Sequence, residues 1–425
     1  MNKWMFFITV FLLFGCTNSR MKSFVRKESY LIKNAELQQA DLKPIGEAIG
    51  NARIVMLGEQ WHGDGAAFLA KSKIVKYLHD SLGFNVLAME SDLYALTRGL
   101  ETVATDTASI RQFLHNNISS VWANCSTTND LFYHYMLQTY TTGRPLRITG
   151  IDNQFLMDYS RKKLVTELDS IFRKYELPYA RTAHYNRFLS SLNAFIRHKD
   201  LEAANKTDYP FLEDALLQLK TQLPEKSTGD DYWILVTNNL LQLVRQYEYM
   251  KRGRQQQVMM KAADSIRDRQ MADNVSWLAS SKYKGEKIIV WAANSHIMKH
   301  SNSLQNRWIS RNMGSLLAET AALQGNVYSL GITSAIGSHG WFNDGMHGDR
   351  EKIQSVSFGQ KESIDGWLLE KGDPFAFINF RRFNKKYPDF KEAFYMKGRG
   401  HIYQKESWNR HYDGVFYIKE MYPCR

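Results

Sequence analysis

Apolar and polar positions along this chain switch between two spacings, and the switches mark its elements. Arg53 to Gly58 is a short, β-branched and apolar run that stops at a glycine, as a buried strand does on leaving a sheet. From Ala66 to Leu82 the apolar residues Phe68, Leu69, Ile74, Val75, Leu78 and Leu82 recur at roughly helical spacing, and Gly83 stands where a helix stops. Asn85 to Glu90 returns to strand character, before a helix from about Tyr94 to Val103. Strand, helix and strand in succession form a βαβ unit, which implies parallel strands. Arg147 to Ile151 reads as a third strand. Beyond it the chain is almost wholly helical, with an apolar stripe at Trp233, Val236, Leu240, Leu243, Val244 and Tyr247 that fits core packing. Strands follow at Lys287 to Ala292, Asn326 to Gly331 and Gly414 to Ile418, with a helix near Ser303–Leu323. The fold class predicted is α/β: a central, mostly parallel sheet flanked by helices, with a helical insertion over about 155–265 that covers it.

The first residues read as an export signal. Lys3 precedes an apolar run from Trp4 to Phe14 that ends in Leu13-Phe14-Gly15-Cys16. That run falls short of the roughly 20 residues a membrane span needs, and a basic start with a short apolar core makes a secretory signal. A cysteine at the cut resembles the bacterial lipoprotein signal. The expected organisation is a signal peptide over 1–15, lipidation at Cys16, a spacer and helix over 16–50 with Pro44 near the helix's middle, and one α/β domain over 51–425. The expected location is a bacterial cell envelope, with the lipid on Cys16 as membrane anchor. Cys125 and Cys424 remain for one disulfide, and without a C-x-x-C a thiolate zinc site is not expected.

The formal charge of +12 is spread along the chain and densest at Arg381, Arg382, Lys385, Lys386, Lys391, Lys397, Arg399 and Lys405. Interleaved with Phe383, Tyr387 and Phe390, this run reads as a solvated face, and no nucleic acid partner is expected.

Three strands end in polar groups: Glu59 and His62, Glu90 and Asp92, and Asn294 and His296. If the strands are parallel neighbours, all three ends share one edge of the sheet, where ligands bind in open α/β folds. The chain has no G-x-S-x-G elbow, H-E-x-x-H helix or glycine-rich phosphate loop, which leaves histidine with carboxylates. Such a histidine can take a proton from water if a carboxylate orients its ring, and a nearby cation can stabilise the oxyanion. Lys71, in the helix after His62, is a candidate for that charge. The same groups can equally bind a divalent metal. Water attack without metal or cofactor is the reading taken here.

In these motifs the sequence resembles the erythromycin esterase family. Gly58-Glu59-Gln60-Trp61-His62-Gly63 matches the family's G-E-A-T-H-G, Gly150-Ile151-Asp152 its G-F-D, and Trp291-Ala292-Ala293-Asn294-Ser295-His296 its W-A-H-N-x-H. Arg267-Asp268-Arg269-Gln270-Met271-Ala272-Asp273-Asn274-Val275-Ser276-Trp277 matches R-D-x-x-M-A-x-N-x-x-W, and Tyr412-Asp413-Gly414-Val415 matches F-D-A-V. The resemblance implies a metal-free hydrolase with His62 as general base, Glu59 and Glu90 as its carboxylate partners, and His296 as a second site histidine. Trp61, Asp152 and Asn294 are then expected against a small-molecule substrate. The chain departs from the pattern at Ala293, where the family has histidine, at Lys71, where it usually has arginine, and at Trp61, where it has threonine. Trp61 is expected to reshape the pocket against macrolides. A non-catalytic lipoprotein binding haem or a small metabolite on the same scaffold is the alternative reading.

Overall fold

The computed structural model describes residues 19–103, 106–197, 206–224, 231–253, 257–301, 311–340 and 353–424. The signal-peptide and lipidation readings, with Cys16, lie outside the described residues, as do 302–310 of the helix expected near Ser303–Leu323. Its strands are β1 Tyr30–Ile32, β2 Ile54–Leu57, β3 Phe84–Asp92, β4 Arg147–Asp152, β5 Lys287–Trp291, β6 Val327–His339, β7 Gln354–Val356, β8 Phe375–Asn379, β9 Phe394–Met396, β10 Gln404–Glu406 and β11 Gly414–Met421. A nine-stranded sheet runs in the order β1-β8-β11-β6-β2-β5-β3-β4, with β7 beside β6, while β9 and β10 pair separately. From β11 across to β4 all neighbours are parallel; β8 and β1 continue the sheet with antiparallel pairings. This is the mostly parallel α/β fold that the periodicity predicts.

The strands alternate between two buried faces, as the two-residue repeat of a strand requires. Val55, Leu57, Leu87, Met89, Ile289 and Trp291 pack on one side, with the Gly65–Leu82 helix and the helices Asp158–Lys174, Tyr185–Arg197, Tyr209–Gln222 and Asp231–Gly253. Ile54, Met56, Val86, Ala88, Ile288 and Val290 face the other side, against Met271, Val275, Leu316, Leu317 and Trp367. Covered on both faces, the central strands are apolar throughout.

One topological detail decides where the site forms. β2 and β3 are joined by the Gly65–Leu82 helix, yet β5 lies between them. Leu57, Trp291 and Met89 share one register level, so the residues just beyond them leave the sheet together. The chain leaves β2 toward β3 and leaves β5 in the opposite direction, toward β6. That reversal is a topological switch point, where a crevice opens at the carboxyl edge of an α/β sheet.

Two readings of the pattern are corrected. Pro44 sits in the first turn of a short Lys43–Ile49 helix rather than mid-helix, where its missing N–H costs nothing. The basic run is not one solvated face. Lys397 is buried and donates to the Ala335 carbonyl at 2.7 Å, and Arg381 pairs with Asp413 at 2.9 Å. Cys125 and Cys424 are joined, with Cα atoms 5.4 Å apart.

Candidate active site

The loop after β2 is built on a close approach. A Cβ on Gly58 would stand 1.9 Å from Asn294 Oδ1, so only glycine admits the Asn294 side chain beneath the turn. Asn294 Nδ2 donates to the Ile332 and Gly398 carbonyls at 2.7 and 3.0 Å, and its Oδ1 accepts from the Ile332 N–H at 3.1 Å. Its own N–H donates to the Glu59 carbonyl at 2.7 Å, which fixes the β2 and β5 loops against each other. Gly63, at φ 101°, then turns the chain into the Gly65–Leu82 helix.

Glu59 is fully buried. One of its oxygens pairs with Lys71 Nζ, and the other faces His62 Nδ1 at 3.2 Å. Lys71 is also fully buried; it lies 4.1 Å from the centre of the Trp291 ring and donates to the Ala292 carbonyl at 3.3 Å. His62 meets the Trp122 ring edge-on at 5.3 Å, and its side chain keeps 40% exposure. A carboxylate only accepts, so in neutral His62 the proton is on Nδ1 and Nε2 is the atom left to take one.

A second cluster lies at the ends of β3, β4 and β5. Glu90 accepts from Arg267 Nη2 at 2.8 Å and from the Ala293 N–H at 2.9 Å. Arg267 also donates to both oxygens of Asp152, at 2.7 Å from Nη2 and 3.1 Å from Nε. His296 lies between two carboxylates, with Nδ1 2.8 Å from Asp268 and Nε2 3.3 Å from Glu90. Asp268 in turn accepts from the Met313 N–H at 3.0 Å.

These contacts set the charge states. Burial pulls the His62 ring down, but the Glu59 hydrogen bond and the Glu90 charge outweigh it and leave its pKa raised. Burial also opposes a charged His296, yet Asp268 and Glu90 hold it well above the usual histidine range, so it stands as an imidazolium. Burial favours neutral Glu90, but His296 and Arg267 keep it well below the carboxylate range. Burial pulls Lys71 down to about 8 despite Glu59 beside it. The site therefore pairs one half-exposed histidine with two buried cations, His296 and Arg267, at the next strand end.

The structure brings Glu59, His62, Lys71, Glu90, Asp152 and His296 to one edge of the sheet. It gives several of them partners other than those expected. Among the described residues Glu59 is the carboxylate that bonds His62; Glu90 bonds Arg267 and the Ala293 N–H and reaches His62 through its charge, with β5 between their strands. Lys71 is buried against Glu59, while His296 and Arg267 are the cations beside Glu90. The Asn294 amide bonds the Ile332 and Gly398 backbone, and Asp152 accepts from Arg267 and from the Gln154 N–H. Trp61 lies at the surface with 36% exposure, its ring 6.2 Å from that of His339. Asp92 caps backbone at Ala95 and accepts from Ser160 Oγ at 2.8 Å, outside the site. Arg267, Asp268 and Trp122 join these groups although the strand-end pattern does not point to them. The Arg267-Asp268 pair lay within a matched motif, but nothing local distinguished it from a helix surface.

Fold and site together define an α/β protein with a histidine–carboxylate centre at its sheet's carboxyl edge. The sequence model described as Erythromycin esterase matches residues 79–421, and the chain belongs to that family. It is 24% identical to "Putative hydrolase YbfO" of Bacillus subtilis (strain 168), covering 94% of this chain and 91% of that one. It is 23% identical to "Erythromycin esterase type II" of Escherichia coli, over 89% of this chain and 92% of the other. Among solved structures it is similar to a succinoglycan biosynthesis protein, with TM-score 0.71 and 17% identity over 96% of this chain and 98% of that chain. A histidine-to-asparagine variant of the erythromycin esterase EreC, in its open conformation, gives TM-score 0.68 at 15% identity over 95% and 97%. At these identities the structural likeness shows the fold.

Proposed function

We propose that the protein is a hydrolase that cleaves a carboxylic ester of a small molecule by direct attack of water, with His62 as general base. The observation that carries this reading is the contrast within one triad: Glu59 and Lys71 are fully buried, whereas His62 keeps 40% exposure with Nε2 unbonded to Glu59. Nε2 takes a proton from water as the water oxygen bonds to the carbonyl carbon. The oxyanion that forms is stabilised by the positive charge of His296 and Arg267. Collapse breaks the bond to the leaving oxygen, which takes the proton back from His62 and departs as an alcohol, leaving a carboxylic acid that then ionises in water. Lys71 acts by holding Glu59, and Glu59 by holding the ring. Trp61, next to His62 where the family has threonine, is the reason a macrolactone is not the substrate proposed. The Cys125–Cys424 bond fits an oxidising compartment and so supports export, while anchoring through Cys16 rests on the lipoprotein-like start of the sequence.

The test is hydrolysis of p-nitrophenyl acetate and a panel of aliphatic esters by purified protein in oxygen-labelled water. Turnover with a single label in the released acid, and no burst of alcohol, is expected for direct water attack. Failure to turn over any ester faster than His62→Ala would reject the hydrolase reading. A burst would instead indicate a covalent intermediate.

A further inference from the structure

A different cluster lies on the other side of Trp61, across the β2–β6 side of the sheet. One ligand atom from each of Asp64, His339 and His401 lies within 4.8 Å of the others, and among the described residues no other such group of three occurs. The side chains come from three segments: the loop after β2, the last residue of β6, and the connection between β9 and β10. Asp64 is fully buried, His339 is 5% exposed, and the His401 side chain 7%.

The bonding around His401 fixes how its ring is presented. Gln60 Nε2 donates to the Lys397 and Gly400 carbonyls at 2.8 and 3.1 Å, which leaves Gln60 Oε1 as an acceptor. Ser334 Oγ, 2.6 Å from Gln60 Oε1, must then give its proton there. Toward His401 Nδ1, 3.5 Å away, Ser334 is left only to accept. His401 Nε2 lies 3.0 Å from Asp64 Oδ1. His339 supplies an independent observation: its Nδ1 is buried and has no hydrogen-bond partner among the described residues. Its ring lies 4.2 Å from that of His401, tilted by 31°.

We propose that Asp64, His339 and His401 form a binding site for one borderline divalent cation, with zinc the best fit to two imidazoles and a carboxylate. Ligand atoms around a tetrahedral zinc stand roughly 3.3 Å apart. Asp64 and His401 are nearly at that spacing, and His339 approaches by at most about 1.5 Å. Ser334 on Nδ1 is the outer hydrogen bond that orients a ligating imidazole. The Trp61 N–H on Asp64 Oδ2, at 2.9 Å, does the same for the carboxylate. Asp64 is two residues past His62, so the ion pins the loop that carries His62 to β6 and to the segment after β9. The site is independent of the ester-hydrolase reading.

The experiment is equilibrium dialysis of chelator-stripped protein against zinc chloride, with the Tm recorded with and without zinc. Close to one zinc per chain and a zinc-dependent rise in Tm are expected. His339→Ala and His401→Ala should each lower the affinity by at least about 100-fold, more than loss of an outer hydrogen bond to a ligand. His62→Ala and His296→Ala should bind zinc as the unaltered protein does. Zinc absorption spectra of the unaltered protein give a second readout, with two imidazoles and an oxygen donor expected. No retained zinc, a shell with fewer than two imidazoles, or loss of binding in His62→Ala or His296→Ala with retention in the other pair would overturn the proposal.

Discussion

Lys71→Met removes the ammonium that pairs with the buried Glu59 while keeping the side chain long and apolar. Glu59 has no exposure and its other oxygen faces His62, so the variant leaves a carboxylate in the interior without its cation. Removing one member of a buried pair costs about 3–5 kcal/mol, because the remaining charge is uncompensated. For 425 residues, an unfolding entropy of about 2.1 cal/mol/K per residue gives about 0.9 kcal/mol/K, so Tm should fall by about 3–6 °C. Glu59→Gln combined with Lys71→Met leaves no charge behind, and should recover part of that loss although it has one more substitution. The assay is calorimetry at pH 7 on the single and double variants, with folding checked by circular dichroism. An unchanged or higher Tm in Lys71→Met would refute the buried-pair argument, as would a double variant less stable than the single one.

Glu59→Gln should move the acid limb of the kcat/KM profile to lower pH, because the Glu59 hydrogen bond and charge raise the His62 pKa against burial; an unmoved limb, read from the same ester assay, would remove Glu59 from that role. His296→Gln should destabilise most below pH 6.5. The raised folded pKa makes the His296 contribution fully present there, and it is lost as pH rises through the folded value, so the Tm gap from the unaltered protein should narrow in alkali. Expression in a susceptible host should leave its erythromycin resistance unchanged; a clear rise that disappears in His62→Ala would show that Trp61 admits macrolides.

Much of this architecture is legible in the chain because its central strands are covered on both faces. Ile54-Val55-Met56-Leu57 and Ile288-Ile289-Val290-Trp291 are apolar throughout, and glycine or small residues mark where each leaves the sheet. Glu59 and His62 were legible for the same reason: they follow a strand end at once. Their partners were not. Whether His62 meets Glu59 or Glu90 depends on β5 entering between β2 and β3, a pairing made by residues far apart in the chain. Lys71 sits at a helix position whose neighbours Ala70 and Ile74 are buried, but nothing in local spacing tells a cation facing substrate from one lodged behind a carboxylate. Arg267 and Asp268 look like ordinary charges on a helix until β4 and β5 bring Asp152, Glu90 and His296 against them. Lys397 looks like one more exposed base in its run because its carbonyl acceptors, at Ala335 and Ser357, are distant in the chain.

The central claim is that His62 does chemistry rather than holding its loop. The most direct measurement takes kcat/KM for an ester that is turned over and Tm from the same preparation of His62→Ala. A half-exposed histidine contributes little core, so Tm should stay close to that of the unaltered protein, while the rate should fall by about 10²–10⁴-fold, the usual loss on removing a positioned base. A variant that melts earlier yet turns over substrate as fast per folded molecule would contradict the account and leave His62 a structural residue.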